Sequence, residues 1–362
     1  PNEIDIVAFA ACPDWIWHEV YKKTALYSVQ DWVTECAEYW GPLLVEGKQP
    51  SILDTYQNIF AGKDLEPAKD PYFPMLDSVR IADPSEWLEI GAKLRADVIC
   101  EHLGISADKI ISTRHEDCHQ YYGYFSGERS PGKTLIFTVE GGGDDSSATV
   151  SIADESGIEE VWKSNDCQLG RLYRYVTLML GMKPNQHEYK VMGLAPYGNE
   201  YHGKKSLDFF RTINAVKGVE IVKTQTVPDL YYSSREALKC ERFDGIAWGL
   251  QTYIEEILCA WIANNCKHYN INSVVISGGV AQNIKACKLI AELPEVKHFR
   301  VGPISGDGSI GVGAAWLAAR KFAPDQEIRG LPHIYLGTEH DLSSIDKAIE
   351  ARNLKSKFFI LD

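Results

Sequence analysis

The period of the hydrophobic positions changes along the chain, and each change marks an element. Ile4 to Phe9 form a short apolar run with the pattern of a buried strand. Between residues 15 and 47 large aromatics (Trp15, Trp17, Tyr21, Tyr27, Trp32, Tyr39 and Trp40) suit helices with a broad apolar face. Residues 48–83, rich in Pro and Asp, predict an irregular excursion. Pro84-Ser85-Glu86 announces a helix running to about Leu103, with Gly104 as its stop. A strand over Lys109 to Thr113 and a helix from His115 follow. Over 134–164 the period falls to two. Thr134 to Val139, Ser147 to Ile152 and Ile158 to Trp162 predict an antiparallel meander. Helical stretches at 168–182 and 188–195 precede the clearest helix, 244–268, whose stripe runs through Ile246, Leu250, Ile254, Ile257, Leu258 and Trp261. Strand 273–277, helix 281–293, strand 297–301 and helix 309–322 then make an α/β unit with tight strand-to-helix turns.

Composition narrows the class. The chain has 362 residues, 45% hydrophobic and 24% charged, which excludes a disordered chain, a collagen and a simple coiled coil. With 37 basic and 50 acidic residues the net charge is −13. Such a surface repels phosphate backbones, so general nucleic-acid binding is not expected. ATP stays open, because backbone amides and metal ions hold it rather than net charge. No stretch is apolar enough to span a bilayer, so no membrane partner is expected, and the first residues lack the basic start and apolar core of a signal peptide. Nine scattered cysteines without a CxxC pair read as reduced, mostly buried thiols of a cytoplasmic protein.

Two matches to catalytic motifs fare differently. Gly127-Glu128-Arg129-Ser130-Pro131-Gly132-Lys133-Thr134 fits the phosphate-loop pattern G-x4-G-K-[ST], which works only between a strand and a following helix. Here an aromatic helical segment precedes it and a strand follows, so it reads as a surface connection. His115-Glu116-Asp117-Cys118-His119 fits H-E-x-x-H, which on a helix sets two imidazoles on one face, about 5–6 Å apart at Cβ. Both can then reach one metal ion. Peptidase chemistry is disfavoured, because Tyr122 and Phe125 stand where the extended pattern needs Gly and His. The pair is either a metal site or a helix turn with two unrelated histidines.

Three glycine-containing segments share one physical theme. Val139-Glu140-Gly141-Gly142-Gly143-Asp144-Asp145 places three glycines at a turn between strands, where backbone can approach a ligand and amides can face phosphate. Ser277-Gly278-Gly279-Val280-Ala281-Gln282-Asn283 follows a strand and opens a helix. Its glycines leave room for a base or ribose that Gln282 and Asn283 can hydrogen-bond. Pro303-Ile304-Ser305-Gly306-Asp307-Gly308-Ser309 also links strand to helix, with Asp307 placed to ligate a metal beside phosphates.

With the run Glu188-Tyr189-Lys190-Val191-Met192-Gly193-Leu194-Ala195-Pro196-Tyr197-Gly198, these segments resemble the carbamoyltransferases that include nodulation-factor and antibiotic-tailoring O-carbamoyltransferases. The resemblance covers roughly residues 1 to 340 and is densest over 110–315. The same core is similar to the ATPase subunit of the tRNA threonylcarbamoylation machinery. The resemblance implies an α/β fold of the actin/hexokinase/Hsp70-like class, a bilobal ATPase built from duplicated ribonuclease-H-like halves. Residues 1–133 would form an N-terminally incomplete first lobe with a helical insertion, and 134–330 the second lobe. Residues 331–362 would be a linker toward a C-terminal synthase-like domain.

It also implies chemistry. His115, His119 and Asp307 would hold one metal ion, iron being typical and zinc or magnesium the alternatives. Glu140, Gly141, Gly142, Gly143, Gly306 and Gly308 would contact the phosphates of ATP, and Gly278, Gly279, Gln282 and Asn283 its nucleoside. Lys190 is either a catalytic positive charge near the phosphates or a solvated helix lysine. The carbamoyl group would pass from carbamoyl phosphate, through carbamoyl-adenylate, to a hydroxyl of a small-molecule acceptor. A sugar kinase or ATPase of the same superfamily, and a non-catalytic nucleotide-binding module, remain alternatives. The sequence departs from the family in four ways. The first phosphate loop and the synthase-like domain of the family would fall outside residues 1–362, Glu140 stands where Asp is commoner, and Gln282 replaces a small or apolar residue. The aromatic-rich residues 15–83 either shape an acceptor pocket or serve packing.

Overall fold

A computed structural model describes residues 3–11, 27–63, 86–225, 227–331, 333–335 and 337–354. Trp15, Trp17, Tyr21 and Pro84-Ser85 lie outside the described residues. The expected first strand is present as β1 (Val7–Ala10). It pairs in parallel with a strand reached much later in the chain.

The aromatic segment is helical, as expected. Ser28 and Asp31 close a reciprocal capping box on α1 (Val29–Glu35), which runs on through a wide π turn, Cys36–Trp40, and a helical turn, Gly41–Leu44. The excursion expected over 48–83 is corrected in part. Ser51 caps a helix, α2 (Ile52–Phe60), and Ile52, Tyr56, Ile59 and Phe60 are all buried at helical spacing. The Pro and Asp content that suggested irregular chain belongs mainly to residues further on. Tyr27, Trp32, Tyr39, Tyr56 and Phe60 pack together around Glu35, which accepts hydrogen bonds from Tyr27 Oη and, at 2.7 Å, from Trp40 Nε1. For these aromatics packing is the observed role. The next helix, α3 (Trp87–Leu103), ends at Gly104 in the left-handed conformation, φ 64°. β2 (Ile110–Thr113) follows and is the partner of β1, with Val7 opposite Ile110.

The helix expected from His115 is α4 (His115–Phe125). The meander follows as β3 (Thr134–Val139), β4 (Ala148–Asp154) and β5 (Gly157–Ser164). Helices α5 (Leu169–Met179), α6 (Glu188–Leu194) and α7 (Glu200–Phe210) come next. A hairpin of β6 (Asn214–Lys217) and β7 (Glu220–Lys223) leads to α8 (Leu230–Ala237) and the long α9 (Phe243–Tyr269). β8 (Ser273–Ser277), α10 (Ile284–Ala291), β9 (His298–Val301) and α11 (Ile310–Phe322) complete the α/β unit. The single helix expected over 281–293 is divided, with a tight turn at Gly279–Gln282 before Asn283 caps α10.

The result is a mixed five-stranded sheet in the order β5-β4-β3-β8-β9, with β3 antiparallel to β4 and parallel to β8. Helices cover both faces, so β3 is buried at every residue and reads as a nearly continuous apolar run. Leu135, Phe137 and Val139 face the core around α9, where Phe137 meets Trp261 edge-on at 4.9 Å. Ile136 faces the other side, with Tyr124 and Phe125 of α4 and Trp316 of α11. There α4 and α11 touch closely. A Cβ on Gly313 would overlap the carbonyl oxygen of Cys118, so glycine sets the distance between the two helices. The described residues up to 330 form one compact unit. Residues 331–362 form a second, whose described part carries α12 (Leu342–Ala351), capped by Asp341.

Candidate metal centre

Four side chains converge where α4 meets the carboxyl ends of the parallel strands. His115 and His119 lie one helical turn apart on α4, and their Nε2 atoms approach to 3.1 Å. Asp307, in the turn after β9, brings Oδ1 to 3.5 Å from His115 Nε2 and 3.4 Å from His119 Nε2. Glu140, which directly follows β3, places Oε1 at 2.9 Å from His119 Nε2. One donor atom from each of the four lies within 4.8 Å of all the others. This supports the metal reading of the histidine pair over two unrelated residues. Donors bound to one first-row ion at about 2.0–2.2 Å sit about 3.0–3.5 Å apart, so the spacing fits, and two imidazoles with two carboxylates suit zinc, iron or manganese.

The sequence explains the convergence. The first backbone donors of α4 need acceptors, and Arg114 offers no side-chain cap. Asp144 supplies one from across the site, accepting from His115 N at 2.7 Å. In return Glu116 Oε1 accepts from Asp145 N at 3.1 Å, Ser146 N at 2.8 Å and Ser146 Oγ at 3.1 Å. A Cβ on Gly143 would overlap that carboxylate, so the glycine turn is shaped to receive it. The third member of the motif, Asp117, turns away to Arg114 at 2.6 Å. The turns after β8 and β9 are joined by Gly278 N donating to Ser305 O at 2.8 Å. Gly279 N donates to Glu140 Oε1 at 2.6 Å, which ties the first loop to the second.

Electrostatics follow from this geometry. Burial alone would lower the His119 pKa, but hydrogen bonds and charge from Asp307 and Glu140 outweigh it and push it up to about 9. The hydrogen bond to His119 holds the solvent-exposed Asp307 below the usual carboxylate range, and the charges of His115 and Arg174 add to the effect. Between the histidines in sequence, burial pushes the Cys118 thiol up to about 12; its Sγ lies 3.1 Å from Thr113 Oγ1 and is not among the four clustered donors. All the described cysteines are free thiols.

The remaining sequence-derived site residues fall in two groups. Gly141, Gly142, Gly143, Gly278, Gly279, Gly306 and Gly308 lie on the three loops that meet at the cluster, and Gln282 lies over Gly306, where a Cβ would overlap its amide. Asn283 sits beneath the loop. It caps α10 by accepting from Ala286 N at 3.1 Å and pairs with Gln251 of α9 through two hydrogen bonds of 2.9 Å. Lys190 is exposed on α6 over its neighbour's ring, 5.8 Å from the Tyr189 centroid. Lys133 enters β3 from a surface turn, as the rejected phosphate-loop match requires. Sequence reasoning missed Glu140 as a member of the donor set and Glu116 and Asp144 as its clamps. The acidic residues that flank the three glycines of 140–145 were the available signal for Glu140 and Asp144.

Residues 78–316 match the family described as "Carbamoyltransferase N-terminus". The chain belongs to this family. It is similar to an uncharacterized protein of Methanocaldococcus jannaschii, with 28% identity over 69% of this chain and 47% of that protein. It is also similar to the nodulation protein NolNO of Sinorhizobium fredii, with 26% identity over 76% of this chain and 41% of that protein. The chain therefore spans less than half the length of these curated relatives. A crystal structure of HypF from T. kodakarensis matches with a TM-score of 0.37 at 17% identity, covering 65% of this chain and 39% of that one, an overlap that specifies no shared fold. Among the described residues no helix is long and apolar enough to cross a membrane.

Proposed function

We propose that this chain is the transfer domain of an ATP- and metal-dependent carbamoyltransferase. In this reading a hydroxyl of a small-molecule acceptor exchanges its proton for the carbamoyl group of carbamoyl-adenylate, and AMP is released. The observation that carries it is the four-donor cluster of His115, His119, Glu140 and Asp307 at the meeting point of three loops, within a chain of the carbamoyltransferase family. His115, His119, Glu140 and Asp307 would hold a metal ion, iron foremost, which when bound would supply Lewis-acid polarisation of a phosphate or carbonyl oxygen. The glycine turns at 141–143 and 306–308 offer backbone amides to phosphates, and Gly278, Gly279 and Gln282 line the space for the nucleoside. Asn283 holds that loop in place from below. The meander continued by two parallel strands, with helices on both faces, supports the finer fold reading of a ribonuclease-H-like half in an actin/hexokinase-like ATPase.

The test is product identity. The full-length protein, given ATP and carbamoyl phosphate with an acceptor, is expected to release AMP and pyrophosphate, together with the inorganic phosphate left by carbamoyl phosphate. Release of ADP with phosphorylation of the acceptor would replace this reading with a superfamily kinase.

A further inference from the structure

The site has a cationic wall that no motif announces. Arg171 and Arg174 sit one turn apart on α5, and both guanidinium groups lie against the glycine turn that follows Glu140. A Cβ on Gly141 would come within 2.6 Å of Arg174 Nη2, and one on Gly142 within 3.3 Å of Arg171 Nη2. Arg171 Nε donates to Gly141 O at 2.8 Å, and Arg174 Nε donates to Asn185 Oδ1 at 2.9 Å. Each arginine is thus fixed through Nε to a neutral acceptor. Among the described residues neither has a carboxylate partner, unlike Arg114, Arg211 and Arg242 of the same chain. Two guanidinium groups held side by side repel each other unless an anion lies between them. Arg174 lies against Gly141, the residue that follows the cluster's Glu140, so its charge sits beside the donor set. Crowding by protein atoms lowers the Arg171 pKa, and the neighbouring Arg174 lowers it further.

We propose that Arg171 and Arg174 form a clamp for a phosphoryl oxyanion, holding the phosphate that faces the cluster of His115, His119, Glu140 and Asp307. The planar fork of arginine suits this role, because its Nη groups can engage two oxygens of one phosphate. The clamp supplies the positive charge that the sequence offered only in Lys190. The inference rests on the carbamoyl-transfer reading for the identity of the ligand, a nucleotide phosphate, but not for the existence of the anion site. Free phosphate shares the same chemistry.

Calorimetric titration of the chain with ATP, inorganic phosphate and adenosine separates these cases, with metal content measured in parallel. Arg171→Gln and Arg174→Gln are each expected to weaken ATP binding about tenfold to a hundredfold, the range for a charge-assisted hydrogen bond, with adenosine affinity and metal content unchanged. Arg174→Lys, which keeps the charge and loses the fork, is expected to fall between wild type and Gln and serves if a Gln variant fails to fold. Weakened phosphate binding in the variants, with no ATP binding by the wild type, supports the clamp and overturns the nucleotide reading. Variants that bind ATP and phosphate as wild type does overturn the clamp and leave the proposed function standing. A wild-type chain that binds neither anion overturns both.

Discussion

His119 concentrates the chemistry of the site. It is fully buried and touches both carboxylates, and its side chain could not be so placed without a charge or an ion to balance them. In the metal-free protein that balance is a proton. Its pKa is raised from the ordinary 6.5 to about 9, so the folded protein keeps a proton that the unfolded chain gives up. The stability this contributes is full below about pH 6.5 and is lost as the pH rises through about 9. Chelator-treated protein is therefore expected to show a falling melting temperature across that interval. A melting temperature that rises there would place the proton elsewhere. The two histidines and Asp307 were legible from spacing and family resemblance together. The part of Glu140 was not, because at the end of a buried strand its direction depends on the Gly279 amide, which is far away in sequence.

The elements most legible in the sequence were those with a large apolar face or a chemical stop. Gly104 ended α3 where expected, and the meander appeared in the expected order. Helix α7 was missed for a physical reason. It buries Gly203 and Ser206 with Leu207 and Phe210, so small residues replace half of the stripe that marks a helix. Helix α2 was hidden by the composition of its neighbours. Packing between α4 and α11 depends on a residue that carries no hydrophobic signal at all. Gly313 lets the helix that follows Asp307 lie against the helix that carries His115 and His119. Gly313→Val is expected to force the pair apart, costing about 1–3 kcal/mol by overpacking, and to weaken metal binding by moving Asp307 from the histidines. Urea unfolding and metal titration of the same variant check both parts. A variant with wild-type stability would show that the helices can slide without loss.

The chain's net charge of −13 makes local cations informative, since an anionic substrate approaches a molecule whose overall field repels it. The site answers that field with Arg171, Arg174 and the ion its four donors would hold. The three loops that build it come from the ends of β3, β8 and β9 of one sheet, the arrangement by which open α/β sheets form ligand crevices beyond the carboxyl ends of their strands. That convergence needs contacts between residues more than a hundred positions apart, so the sequence indicated the loops but not their meeting. The chemistry of the site depends on the cluster itself. Metal content and affinity, measured on the wild-type chain and on His119→Ala and Glu140→Ala, test it most directly. One ion per chain, with affinity reduced at least tenfold in each variant, is the expected result. A wild-type chain that binds no ion, or variants that bind it as tightly as wild type, would contradict the account.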